Sequence, residues 1–326
     1  MYNVENFSLW CDFVERDFLD GEFRELLDKK VVNGATSNPS IFKSAFLTSA
    51  AYSSDRKKLK DLKAKEIYEK LAIEDIKRAT IAMQKLYDNN NNDGFISIEV
   101  DPFFCDDAQA TIEEGRRLFN EIDKKNVMIK VPATKDGYKA MEALMSEGIN
   151  INATLIFSPY QAKECIEAFK RASTKLDNKN LPKGVISVFV SRFDSKLDSK
   201  LKKLNLPIAK TGIYNAIKIY DLIESYGLSH VRTLFASTGV KSDALEKDYY
   251  IKELLLKNSV NTAPLGTIKS FISSDNFDEK IATKEYVEFF KKLEKNGIDI
   301  ENIYQELLDD GLVAFKNAFK EILDEF

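Results

Sequence analysis

Short apolar runs alternate along the chain with longer stretches in which apolar residues recur every three or four positions. The runs are FSLWCD (7–12), VNGATS (32–37), GFISIEVD (94–101), NVMIKVP (126–132), INATLIF (151–157), GVISVFVS (184–191), VRTLFAS (231–237) and, with a weaker signature, the stretch around NTAPLG (261–266). Rich in Val, Ile, Phe and Thr and bounded by Gly, Asn and Pro, they read as buried parallel strands. Between them, Ala108, Ile112, Gly115, Phe119 and Ile122 fall on one face of a helix, as do Ile213, Ile217, Tyr220 and Ile223. Val287, Phe290 and Leu293 follow the same rule and end at Gly297. Strands with intervening helices predict a closed (β/α)8 TIM barrel, one domain over residues 1–326, with an open doubly wound sheet as the competitor. No GxGxxG or GxxxxGK[ST] follows a strand, which weakens the nucleotide-binding version of that competitor.

The 326 residues exceed the roughly 250 typical of such a barrel. Two segments account for the excess. Asp194 to Leu204 (DSKLDSKLKKL) reads as a short polar helix inserted after the sixth strand. Ile300 to Phe326 carries Ile303, Leu307, Phe315, Phe319 and Ile322 at helical spacing, predicting a C-terminal helix packed over the barrel. The asparagines 89–92 read as a solvated loop, and the charged stretch 55–70 as the outer face of a helix.

Alternation within the strands carries the chemistry. Successive side chains point to opposite faces. Ile96, Ile98 and Val100 share one face of strand three, with Ser97, Glu99 and Asp101 on the other. Strand four sets Val127, Ile129 and Val131 against Met128 and Lys130; in strand five Asn152, Thr154 and Ile156 share a parity; strand six sets Ile186, Val188 and Val190 against Ser187, Phe189 and Ser191. With the apolar parity facing the helices, the barrel axis receives Glu99, Lys130, Asn152, Thr154 and Ser187. Barrel interiors are ordinarily filled with branched apolar residues, so this polarity needs a reason. Lys130 and Glu99 could form an ion pair that merely plugs the barrel. They could equally form an active site: a desolvated lysine becomes an amine nucleophile toward carbonyls. Glu99 and Thr154, on the flanking strands, are groups able to shuttle the protons of carbinolamine formation and dehydration, directly or through one water. Asn38 and Asn152 can hold sugar hydroxyls without adding charge. The constellation reads as imine chemistry on a polyhydroxylated carbonyl compound.

Composition narrows the alternatives. A net charge of −4 gives no basic excess for nucleic acid, though it leaves room for a few cations around a small phosphate. The N-terminus shows neither a signal peptide nor a membrane span. Cys11, Cys105 and Cys165 have no metal-binding or paired spacing, which suits a reducing, cytoplasmic setting. His230 is the one histidine, at a helix-to-strand junction, and reads as a surface or loop residue. No metal site is expected.

The segments GATSNPSIF (34–42), SIEVDP (97–102), VMIKVPAT (127–134), INATLIFS (151–158) and SVFVSR (187–192) resemble the transaldolases in order and spacing. SLWCDFVERDFLDGEFRELL before the TSNP element resembles the longer bacterial form, although TSN stands where many relatives have TTN. The resemblance implies a (β/α)8 barrel with Lys130 as Schiff-base nucleophile. It makes Glu99 the acid/base, working with a water held by Thr154, and Asp12 the acid/base for the hydroxyl whose deprotonation breaks the carbon–carbon bond. Asn38 and Asn152 would hold the dihydroxyacetone unit, Thr36 and Ser187 would line the pocket, and Phe189 would lie near the catalytic water. Arg192 would bind phosphate with Ser237. In FASTGVKSDA no arginine follows that serine, and Lys241 is the substitute cation. The implied reaction moves dihydroxyacetone from sedoheptulose 7-phosphate or fructose 6-phosphate to glyceraldehyde 3-phosphate or erythrose 4-phosphate, in the pentose phosphate pathway. No cofactor is implied. Sugar phosphates are the expected partners, with no nucleic acid or membrane, in a monomer or homodimer. The competing functions are a Schiff-base fructose-6-phosphate aldolase and a non-catalytic sugar-phosphate-binding barrel. Taken singly, the residues have plainer readings: Asp12 as a turn cap, Asn38 as an Asn-Pro turn residue, Arg192 and Lys241 as solvated loop charges.

Overall fold

Eight parallel strands pair in chain order and close on themselves, which excludes the open sheet. They are β1 (Ser8–Cys11), β2 (Gly34–Thr36), β3 (Ile96–Glu99), β4 (Val127–Pro132), β5 (Asn150–Ile156), β6 (Gly184–Phe189), β7 (Val231–Ala236) and β8 (Ser259–Ala263). This computed structural model describes residues 4–90, 92–177, 181–274 and 277–326, so Asn91 of the asparagine run lies outside the described residues. β8 begins before the stretch 261–266 and stops at Ala263, because Pro264, lacking an N–H, leads into the helix Leu265–Ile272.

Parity sorts the interior into tiers. Ile96, Ile98, Val127, Ile129, Ile186 and Val188 pack outward with the helices. Trp10, Met128, Val185, Leu234 and Val260 belong to a separate inner cluster. Gly34 makes room for it, since a Cβ there would stand 2.6 Å from the Trp10 indole nitrogen. Two residues further along the same strands come Asp12, Lys130, Ser187, Ala236 and Thr262, at the C-terminal mouth. Burying Met128, Leu234 and Val260 contributes about 1.5–3 kcal/mol each, which helps offset the several kcal/mol per ion of desolvating charges above them.

β5 departs from strict alternation. Leu155 has φ 58°, and the register with β6 shifts between Ala153 and Ile156. The bulge turns Ile156 outward into the helix-facing core and sends Leu155 and Phe157 to the inner cluster. Ile156 therefore does not share the face of Asn152 and Thr154, contrary to the alternation argument.

The inserted helix runs Ser191–Lys203, starting directly after β6, and the C-terminal helix runs Ile300–Asp324. Gly311 lets the latter approach the mouth closely, since a Cβ would lie 2.9 Å from Leu155 Cδ2. The charged stretch 55–70 is split between the helices Ser53–Leu59 and Ala64–Asn89 rather than lying on one. In the helix Glu285–Lys295 the buried residues are Phe289 and Leu293, and Val287 is exposed, so the packing face is rotated from the expected one. Asn92 is not simply solvated: its carbonyl accepts from Arg232 and its Oδ1 from Lys183. His230 is buried instead of lying on the surface, with Nε2 2.9 Å from the Ser173 hydroxyl at the foot of β7.

Candidate active site

The strand ends at the mouth enclose a cavity of about 180 Å³ lined by Asp12, Thr36, Asn38, Lys130, Asn152, Thr154, Ser187, Phe189, Arg192 and Ser237, together with Ser40, Ala236, Thr262 and Phe315. Register brings the central groups together, with Glu99 opposite Lys130 and Lys130 opposite Asn152. The Lys130 ammonium donates to the Ser37 carbonyl at 3.1 Å and pairs with Glu99 Oε2 at 3.2 Å. Both residues are buried, at 5% and 6% exposure. The ion pair required by the plugging reading is therefore present, but it is not sealed in: Lys130 faces the cavity.

Glu99 sits behind the lysine with few partners. Apart from that pair, neither of its oxygens has a well-formed hydrogen bond among the described residues, and the buried Thr154 hydroxyl has none either. Burial drives the Glu99 carboxyl up to about 7; the Lys130 charge and contact pull it down, and repulsion from Asp12 adds to the rise. Burial likewise raises Asp12, against the opposing pull of Lys130 and of the Thr36 hydroxyl, which donates to Asp12 Oδ1 at 2.6 Å. A carboxyl raised toward neutrality can both accept and return a proton at neutral pH.

Neutral polar groups hold the walls. Asn152 donates to the Ser97 hydroxyl at 2.8 Å and accepts from Ser187 at 2.6 Å, so its amide orientation is set. Asn38 caps the helix Pro39–Thr48, its Oδ1 accepting from the Ile41 N–H at 3.0 Å. Asn38 is thus an extended N-cap and not a turn residue, and its amide Nδ2 remains the group that can address a ligand. Phe315 of the C-terminal helix covers one side, its ring centroid 5.6 Å from Lys130 Nζ.

The outer rim is cationic. Arg192, on the first turn of the inserted helix, lies 5.8 Å from the Phe189 ring centroid and makes no ion pair among the described residues. Its buried Nε has no acceptor. Ser237, with φ 54°, faces the Ser191 hydroxyl at 3.0 Å. Lys241 is exposed on the loop after β7 and does not line the cavity. Partial burial of its ammonium, then repulsion from Arg192, lowers its pKa, so the two cations feel each other.

Sequence reasoning missed Thr262, whose hydroxyl lies 2.6 Å from that of Thr36, and Phe315. It noted the parity of Ser97 but not its bond to Asn152. Thr262 had a signal, being two residues beyond Val260 on the inward face, but the weak β8 pattern concealed it.

Residues 9–326 match the family described as Transaldolase/Fructose-6-phosphate aldolase. A transaldolase of Helicobacter pylori (strain P12) is 47% identical over 325 residues, 99% of this chain and 100% of that protein. A transaldolase of Campylobacter jejuni (strain RM1221) is 47% identical over 330 residues, 98% of this chain and 99% of its own length. With a buried lysine–glutamate pair at the mouth of a closed barrel and likeness extending over nearly the whole length, the chain belongs to the transaldolase/fructose-6-phosphate aldolase family.

Proposed function

We propose that the protein is a transaldolase that carries a dihydroxyacetone unit on Lys130. The reading rests above all on the buried Lys130–Glu99 pair, with Lys130 facing the cavity and Asp12 close enough to influence both charges. The donors are fructose 6-phosphate or sedoheptulose 7-phosphate, as in the pentose phosphate pathway.

Glu99 accepts a proton from the Lys130 ammonium, and the freed amine attacks the ketose C2 carbonyl. The C2 oxygen gains protons, one supplied by Glu99 through a water held at Thr154, and departs as water, leaving an iminium. The unpaired Thr154 hydroxyl and Glu99 oxygens are the groups suited to hold that water. Asp12 then removes the C4 hydroxyl proton. The C3–C4 bond breaks, its electron pair passing through C3 to the iminium nitrogen, and an aldose phosphate leaves with its new carbonyl. The enamine attacks the acceptor aldehyde through C3, Asp12 returns its proton to the alkoxide oxygen, and hydrolysis frees Lys130.

Asn38, Asn152, Thr36 and Ser187 hold the hydroxyls of the three-carbon unit. Arg192 and Ser237 receive the phosphate, with Lys241 as an outer point charge. Phe189 presents an apolar ring with no hydroxyl to activate the water, which favours waiting for an acceptor over releasing the enamine. A coupled assay with fructose 6-phosphate tests this: product should require erythrose 4-phosphate. Free dihydroxyacetone formed as fast without acceptor would make the protein an aldolase instead.

A further inference from the structure

We infer that Thr262 is a positioning residue for the cleavage step, its hydroxyl donating to Thr36 and so holding the Thr36 hydroxyl as a donor to the Asp12 carboxylate. The inference rests on the reading of Asp12 as the base in that step.

Counting hydrogens gives the direction. Thr36 Oγ1 lies 2.6 Å from Asp12 Oδ1 and 2.6 Å from Thr262 Oγ1. An ionised carboxylate has no proton to give, so Thr36 must spend its single hydroxyl hydrogen on Asp12. The contact with Thr262 then requires Thr262 to be the donor. Both threonines are buried, at 2% and 4% exposure, so water does not readily replace either partner. Hydrogen bonds in such a chain polarise one another, and the donor at the far end strengthens the one at the carboxylate.

The framework fixes both ends of the chain. Thr262 stands opposite Trp10 in the β1–β8 register, and the Asp12 N–H donates to the Ala263 carbonyl at 2.8 Å. Behind Thr262, the Thr238 hydroxyl donates to the Thr262 carbonyl at 2.7 Å and bonds to Asn261 Oδ1 at 3.0 Å. The base, its hydrogen-bond donor and the donor behind that come from β1's end, β2 and β8, so barrel closure itself aligns them. Burial works against the Asp12 charge, and the Lys130 charge and the Thr36 bond oppose it.

The experiment compares Thr262→Val, which keeps the shape and removes the hydroxyl, with Thr262→Ser, which keeps the hydroxyl, both confirmed folded by circular dichroism. For transfer from fructose 6-phosphate to erythrose 4-phosphate, Thr262→Val should lower kcat about three- to tenfold, the worth of one net hydrogen bond, and move the acidic limb of the pH profile upward. Borohydride trapping of the imine should keep its rate, because Schiff-base formation does not use Asp12. Thr262→Ser should restore both kcat and the limb. An unchanged limb in Thr262→Val, or equal impairment in Thr262→Ser, would overturn the inference. Asp12→Asn separates this from the parent reading: if it still cleaves fructose 6-phosphate, Asp12 is not the base.

Discussion

The two ends of the barrel both bury charge, and they treat it differently. At the N-terminal foot, the terminal nitrogens of Arg232 donate to the carbonyls of Asn6, Asn92 and Ser259 and to the Ser8 hydroxyl, which in turn donates to Asp93. Of its nitrogens only Nε lacks an acceptor among the described residues, and burial lowers the group to about 10, still cationic at neutral pH. At the mouth, Glu99, Thr154 and Arg192 keep unpartnered polar atoms around a cavity. A satisfied network stiffens a fold, whereas an unsatisfied one is costly unless a ligand completes it. Together with the cavity, this difference supports the proposal that the mouth is the working end, in line with where barrels of this type place their chemistry.

Substitution at each end should separate activity from stability. Lys130→Ala should reduce transfer by more than about a thousandfold, the scale for losing a group that acts in concert with others, as read in the coupled assay. Arg232→Met should do the reverse. Stranding its acceptors should cost about 3–5 kcal/mol in urea unfolding, while the folded fraction keeps its kcat. A catalytic loss in Arg232→Met as large as that in Lys130→Ala would erase the distinction between the ends.

Acid–base linkage offers a finer test. Because the folded-state Glu99 carboxyl is raised to about 7, the native protein holds a proton there that the unfolded chain has released. Stability contributed by this group is therefore present at low pH and is lost as pH rises from the ordinary glutamate range, about 4.3, through 7. Glu99→Gln should flatten the pH dependence of unfolding in that window, and an unchanged slope would mean the carboxyl is not raised. The smallest effect belongs to the rim. Lys241→Gln should raise KM for the sugar phosphate a few-fold, about 1 kcal/mol for an exposed cation, with kcat retained; no change would remove Lys241 from the phosphate site.

Much of the mouth could be read from residue order because alternation in β3, β4 and β6 is regular, so Glu99, Lys130 and Ser187 fall on the axis by parity alone. β5 was legible only as far as Thr154, since the left-handed turn at Leu155 belongs to closure against β6 and the C-terminal helix, not to local preference. Thr262 was obscured because Asn261 and Thr262 make both faces of β8 polar. Phe315 was visible as a helical core residue, but its position over Lys130 depends on where the last helix docks. The foot was illegible for another reason: Arg232 bonds mainly to backbone carbonyls, which carry no sequence signature. His230 looked solvated for a different reason: its partner, the Ser173 hydroxyl, comes from a helix distant in sequence.

The central claim is that the amine of Lys130, at the mouth, forms the covalent bond to substrate. Borohydride reduction in the presence of fructose 6-phosphate, followed by peptide mass mapping, tests it directly. One reduced three-carbon adduct is expected, on the peptide containing Lys130, and it should be lost in Lys130→Ala. An adduct on another lysine, or none while transfer proceeds at full rate, would contradict it.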